Sequence, residues 1–145
     1  MAAVLVVALA GCGPGRGKPT PLALERGRIY TSWLYGSEYG KLWDRLTPEM
    51  RQVFGSASEL GKFAGKAVTR LGRERGAVDE HVAETRHDEV YSRTASFSSS
   101  KSPVTIEWSL TKDGAVNGLV VRPADTAAAI TSSQPETGSL ESDSR

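Results

Sequence analysis

The sequence has one cysteine and two histidines among its 145 residues. A single cysteine excludes an internal disulfide framework and any cysteine-rich zinc site. The chain also lacks an apolar run of about 20 residues, which excludes a protein that crosses a membrane several times. The sequence has 18 basic and 17 acidic residues, and the resulting net charge of +1 gives no indication of a nucleic-acid partner. The full sequence has 24% charged and 39% hydrophobic residues, which is typical of one globular domain.

The first twelve residues, MAAVLVVALAGC, predict where the protein resides. Residues 2–10 are entirely apolar or small, and nine residues are too few to span a bilayer core of about 30 Å. Such a run has the length of the apolar part of a signal peptide. It ends in Leu9-Ala10-Gly11-Cys12, which resembles the bacterial lipobox, where the chain is cut before the cysteine and the sulfur is acylated. We therefore expect a lipid at Cys12 that anchors the protein to a membrane of the cell envelope, outside the cytoplasm.

Two further features of this region bear on that expectation. No lysine or arginine precedes the apolar run, which leaves open an upstream start codon or a truncated signal. The alternative is a short buried strand in which Cys12 is merely apolar. Residues 13–19, GPGRGKP, favour the anchor, because a stretch rich in glycine and proline suits a flexible tether.

Changes in composition divide the chain into four segments. The last segment is rich in Ser, Thr, Ala and acidic residues and has no aromatic residue, which predicts disorder. The predicted segments are a lipoprotein signal peptide (1–11), a flexible tether (12–21), an α+β domain (22–123) and a disordered tail (124–145).

The first half of the predicted domain has helical spacing of apolar residues. Ile29, Tyr30, Trp33 and Leu34 define the apolar face of a first helix. Two later helices have N-terminal capping signals, Thr47-Pro48-Glu49 and Ser56-Ala57-Ser58-Glu59. Gly55 and Gly72 are predicted to end these two helices.

From about Ala77 to Pro123 the pattern changes to alternation with a period of two. Its clearest strand places Val104, Ile106, Trp108 and Leu110 on one face. Asp113-Gly114 predicts a hairpin turn, and residues 118–121 form the returning strand. Helices followed by an antiparallel meander predict an α+β domain whose N-terminal helices pack on one face of the sheet.

Two segments of the strand-rich half, Ile106-Glu107-Trp108-Ser109-Leu110 and residues 113–123, resemble a bacterial family of nuclear transport factor 2-like (cystatin-like) domains. The order of the helices before them, with Leu42-Trp43 ahead of Leu46 to Met50, is similar as well. The resemblance covers about residues 24–124. It implies a curved antiparallel sheet around a cone-shaped pocket, in a secreted or lipid-anchored domain of unknown function. Such domains often precede a cell-wall hydrolase, and the pocket of enzymatic relatives holds an Asp/His pair.

These observations lead to two functional hypotheses. The first is a non-enzymatic cell-envelope lipoprotein whose small domain binds a ligand or a partner, such as a cell-wall polymer or an envelope protein. The alternative is an accessory or truncated N-terminal module of a cell-wall hydrolase of the zinc endopeptidase or serine hydrolase type. We expect no cofactor and no nucleic-acid partner under either hypothesis.

The two histidines do not form a predicted metal or catalytic site. On one strand His81 and His87 lie about 20 Å apart, too far to share an ion unless a turn at residues 86–88 brings them together. Asp79 or Glu80 beside His81 has the residue types of an acid/base pair. Adjacent residues of a strand point to opposite faces, so we expect no catalytic residues and no metal ligands here.

Aromatic residues are numerous for so small a domain. Most are expected in the core, and the others are candidates for the wall of a binding pocket. The candidates for pocket lining are Tyr30, Trp33, Trp43 and Trp108. Glu107 and Arg122, on the two arms of the last hairpin, are expected to form a cross-strand ion pair.

Charge is distributed unevenly along the chain. Residues 16–76 have twelve basic against six acidic residues, whereas residues 77–145 have six against eleven. Lys62, Lys66, Arg70 and Arg73 are predicted to share one face of the last helix. The ordinary interpretation is a solvated outer face, and the functional one is contact with anionic lipid headgroups or wall polymers.

Overall fold

The computed structural model describes residues 21–124, and in this part of the chain four helices precede four strands. The α+β prediction is therefore confirmed. Cys12, the predicted signal peptide, most of the predicted tether and residues 125–145 lie outside the described residues. The helices are α1 (Pro21–Tyr35), α2 (Tyr39–Arg45), α3 (Pro48–Phe54) and α4 (Ala57–Leu71). The strands are β1 (Glu74–Glu84), β2 (Asp88–Phe97), β3 (Val104–Thr111) and β4 (Val116–Pro123).

The four strands form one curved, open antiparallel sheet in the order β1-β2-β3-β4. Each strand pairs with the next one along the chain, because the connections are short turns and one short loop. Strand β1 starts at Glu74, three residues before the predicted start, and it has two bulges opposite β2. Val78, near these bulges, is 62% exposed and does not contribute to the core.

The capping signals act as the sequence predicts. The hydroxyl of Thr47 accepts a hydrogen bond from the backbone N–H of Met50 at 3.3 Å, which starts α3. The hydroxyl of Ser56 accepts one from the N–H of Glu59 at 3.2 Å, which starts α4. Gly72 ends α4 with φ of 74°, a left-handed conformation that suits glycine.

The core lies where α1 packs against the sheet. Trp108 is 1% exposed, and its indole N–H donates to the hydroxyl of Thr31 at 2.9 Å. Tyr91 is fully buried, and its ring lies directly over Gly27 of α1. The predicted inward face of β3 is confirmed, and Thr105, which alternates with these residues, is buried as well. Ile29 is a correction to the predicted apolar face of α1, since it is 38% exposed.

The domain has two distinct ends along the strand direction. The turn end consists of residues 85–87 and 112–115, which connect β1 to β2 and β3 to β4. The loop end consists of Gly72, the β2–β3 loop at residues 98–103, and Pro123. The N–H groups of Ser98 and Ser99 donate to the carbonyls of Arg73 and Leu71, so the β2–β3 loop lies against the end of α4.

Helix α1 runs from the turn end to the loop end. In its first half, Arg26 donates to the Asp113 carbonyl, and one turn further on the Tyr30 hydroxyl donates to the Gly114 carbonyl at 2.6 Å. At its last residue, the Tyr35 hydroxyl donates to the Glu74 carboxylate at 2.8 Å. The described chain therefore begins at the turn end and finishes, at Ala124, at the loop end.

Candidate functional site

An open cleft of about 340 Å³ lies between α1 and the first two strands. One wall is the second half of α1, and the other comes from β1 and β2. The lining residues combine two tyrosine rings with charged and hydroxyl groups: Arg28, Thr31, Ser32, Tyr35, Glu74, Tyr91 and Arg93. Aromatic surface beside a few oriented polar groups is the usual composition of a small-molecule site.

The Glu80 carboxylate ties the two walls of the cleft together. One oxygen accepts from Arg28 of α1, at 3.0 Å from Nε and 2.5 Å from a terminal nitrogen. The other accepts from the Tyr91 hydroxyl at 2.5 Å and from Arg93 at 3.0 Å. Glu80 and Arg93 are directly opposite in the β1–β2 register, which holds this pair in place.

A second carboxylate, that of Glu74, lies at the other end of the Arg93 guanidinium. Arg93 donates to its two oxygens at 2.6 and 3.2 Å, a two-pronged pairing with fixed geometry. The same carboxylate accepts from the Tyr35 hydroxyl at 2.8 Å. The lining residues Glu74, Arg93 and Arg28 are therefore joined, through Glu80 beside the cleft, in one continuous hydrogen-bonded network.

These contacts move the titrations of the cleft away from neutral pH. The Arg28 guanidinium lowers the pKa of Glu80 to about 2, with the Tyr91 hydroxyl and Arg93 adding to the effect. Arg93 likewise lowers the pKa of Glu74. Burial, together with the adjacent Glu80 carboxylate, raises the pKa of Tyr91 to about 12. The cleft thus carries fixed charges at neutral pH and offers ion pairing and hydrogen bonding.

This network was not found by sequence reasoning because its members come from three elements. Arg28 is 52 residues from Glu80, and Tyr35 is 39 residues from Glu74. One signal was available: if β1 and β2 form a hairpin, Glu80 and Arg93 are opposite charges on facing positions. The contribution of α1 depends on tertiary packing, which no local pattern specifies.

Of the four aromatic residues predicted to line a pocket, one lines a cleft and three do not. Tyr30 lines a second cleft, of about 230 Å³, together with Arg26, Arg45 and Asp113. Trp108 is in the core, because its ring is buried between α1 and the sheet. Trp33 and Trp43 are half-buried and pack on the outside of the core, with Lys41 and Arg51 respectively above their rings. These three tryptophans line neither cleft.

The residues around the histidines correct one expectation. The Nδ1 atom of His81 lies 2.7 Å from a carboxylate oxygen of Asp79, although the opposite facing of adjacent strand residues predicts no such pair. The reason is that residues two apart on a strand share a face. Both side chains are more than half exposed and lie outside the two clefts. Within residues 21–124, no three His, Cys, Asp or Glu side chains are placed to hold a metal ion.

The predicted basic face is only partly on α4. Lys62, Lys66 and Arg70 are exposed on this helix, and Lys62 pairs with Glu59 at 2.6 Å. Arg73 is a correction, because Gly72 ends the helix and Arg73 belongs to the connection to β1. The predicted ion pair between Glu107 and Arg122 is confirmed at 2.9 Å.

Comparison with family models, with curated proteins and with solved structures found no match to this chain. In the part of the chain that the structure describes, no helix has the length and apolar character needed to cross a membrane.

Proposed function

We propose that this protein is a non-enzymatic cell-envelope lipoprotein, anchored through Cys12, whose α+β domain binds a polar ligand or a partner. The observation that carries the binding function is the cleft beside α1. Its carboxylates and tyrosines are held by mutual hydrogen bonds, and their pKa values lie far from neutral pH. Catalytic acids and bases work best with a pKa near the operating pH. A network whose pKa values are shifted away from neutral pH is better suited to binding than to proton transfer.

The anchoring part of the proposal is supported by the position of the folded domain relative to the lipobox-like segment. Pro21, where α1 begins, follows Cys12 by nine residues, of which five are glycine or proline at positions 13–19. A tether of this length reaches at most about 30 Å when extended. An acylated cysteine would therefore hold the domain close to the membrane surface, because several acyl chains on one residue anchor stably.

Metabolic labelling with a clickable fatty acid in a bacterial host tests the anchor. We expect label on the wild-type protein and none on Cys12→Ala, with Gly13→Ala as a control that keeps the thiol. Membrane fractionation of the same cells measures residence. A wild-type protein without label, found in the cytosol with residues 1–12 intact, would contradict the anchoring proposal.

A substitution that fills the cleft tests the binding site. Ser32 lines the cleft and is exposed, and it is not part of the carboxylate network. We expect Ser32→Trp to abolish binding of any amino sugar, muramyl peptide or amino acid that a ligand-observed NMR screen detects. Gln52→Trp, on the exposed surface of α3, is the matched control and should bind like wild type. If every compound detected binds both variants equally, the cleft is not the binding site.

A further inference from the structure

A group of exposed basic side chains lies at the loop end of the domain. We call this group the basic end; it consists of Lys66, Arg70, Arg73, Arg75 and Lys101. All five are exposed, and among residues 21–124 no carboxylate lies within ion-pair distance of any of them. The nearest acidic residue in sequence, Glu74, is occupied by Arg93 and Tyr35.

These five residues belong to three segments of the chain that adjoin at the end of α4. Lys66 and Arg70 lie one turn apart on the exposed side of α4. Arg73 and Arg75 follow directly, in the connection and at the start of β1. Lys101 belongs to the β2–β3 loop, which is hydrogen-bonded to the end of α4 through Ser98 and Ser99.

The spacing of these charges indicates a polymer rather than a single ion. Lys66 and Arg73 are separated by more than a helical turn, which is about 5.4 Å, so one small anion cannot contact the whole group. The five cations are exposed and line neither of the two clefts. An extended chain with repeated negative charges can pair with them in succession.

We propose that the basic end binds a phosphate-bearing polyanion on the side of the domain that faces away from the anchoring membrane. The orientation rests on the proposed anchor at Cys12, whereas the binding itself does not. The chain enters the domain at the turn end, and α1 then runs about 22 Å to the loop end. The tether joins the domain at the turn end, so the basic end is the part of the domain farthest from the point of attachment, which favours a polymer of the cell wall over the phospholipid surface.

A binding measurement with full-length protein tests the site without depending on acylation. The probe is end-labelled, long-chain inorganic polyphosphate, and the readout is fluorescence anisotropy in non-ionic detergent at low salt. We expect Arg70→Glu/Arg73→Glu to weaken binding at least tenfold. The matched control is Arg86→Glu/Lys112→Glu, which makes the same charge change at exposed residues of the turn end. Equal weakening in both double variants, or no binding by wild type, would overturn the proposal.

Lysine acetylation in vesicles distinguishes the polymer from the membrane. Wild-type protein is reconstituted into phosphatidylcholine or phosphatidylglycerol vesicles, and modification is followed by mass spectrometry. We expect polyphosphate to protect Lys66 and Lys101 but not Lys112, and phosphatidylglycerol alone to protect neither Lys66 nor Lys101. Protection of Lys66 by phosphatidylglycerol would instead assign the basic end to the membrane. Residues 125–145 carry four acidic residues and one arginine. Polyphosphate binding that appears only after their removal would show that the basic end binds this segment instead of a separate polyanion.

Discussion

Glu80 shows how much a single side chain contributes to the cleft. Its carboxylate is 16% exposed and accepts hydrogen bonds from Arg28, Tyr91 and Arg93. Hydrogen bonds to charged groups are each worth about 1.5–3 kcal/mol, and removing one partner leaves the others without compensation. Glu80 therefore connects α1 to both strands of the β1–β2 hairpin through one carboxylate.

We expect Glu80→Gln to lower the free energy of unfolding at pH 7 by about 2 kcal/mol, because the amide cannot satisfy two guanidinium groups. The wild-type pKa is lowered to about 2 from an ordinary value of 4.5. A lowered pKa stabilises the fold above pH 4.5, and this contribution is lost as the pH falls towards 2. Urea denaturation at pH 7 and pH 3 should therefore show a smaller pH dependence for Glu80→Gln than for wild type.

Glu59→Gln is the control for this measurement, since Glu59 is exposed and pairs with Lys62 on the surface of α4. It should leave the free energy of unfolding nearly unchanged. If the free energy of unfolding of Glu80→Gln depends on pH as strongly as that of wild type, protonation of Glu80 does not contribute to the loss of stability in acid.

At the scale of elements, the contact between α1 and β2 depends on the absence of a side chain. A Cβ atom at Gly27 would lie 2.1 Å from the Tyr91 ring, and Tyr91 is fully buried and cannot move aside. The Tyr91 ring in turn directs its hydroxyl to Glu80, so this packing also positions the cleft. The helix therefore has to meet the strand at a glycine.

We expect Gly27→Ala to destabilise the protein by about 1–3 kcal/mol, because overpacking forces α1 away from β2. Thermal unfolding followed by circular dichroism measures the effect. Gly40→Ala in α2 is the matched control, since nothing lies within 4 Å of the added methyl group. It should be neutral or slightly stabilising, as replacement of a helical glycine usually is. If Gly27→Ala and Gly40→Ala unfold at the same temperature, the close approach of α1 to Tyr91 is not required for stability.

The elements themselves were predictable to a large extent from local chemistry. Thr47 and Ser56 mark helix starts, Gly72 marks a helix end, and the alternation in β3 places Trp108 inward. These signals depend on backbone hydrogen bonds and side-chain periodicity within a few residues. The start of β1 was misplaced, since its exposed and bulged first half has no hydrophobic alternation.

At the scale of the whole molecule, the cleft could not be predicted because it exists only where α1 crosses β1 and β2. The sequence contains its charged residues but gives no reason to place Arg28 beside Glu80, 52 residues away. The tryptophans were predicted to line a pocket, yet burial of large apolar surface places Trp108 in the core. The basic end was visible in outline as an uneven distribution of charge, and the fold added Lys101 from a distant loop.

The described chain enters at the turn end and leaves at the loop end, so its two termini are far apart along the strand axis. Mechanical tension between an anchored first residue and a load at the other end would run parallel to β4. Hydrogen bonds between β3 and β4 are perpendicular to that direction, so they would be sheared together rather than opened one at a time. A single-molecule pulling trace should therefore show one abrupt rupture at high force, not gradual unzipping.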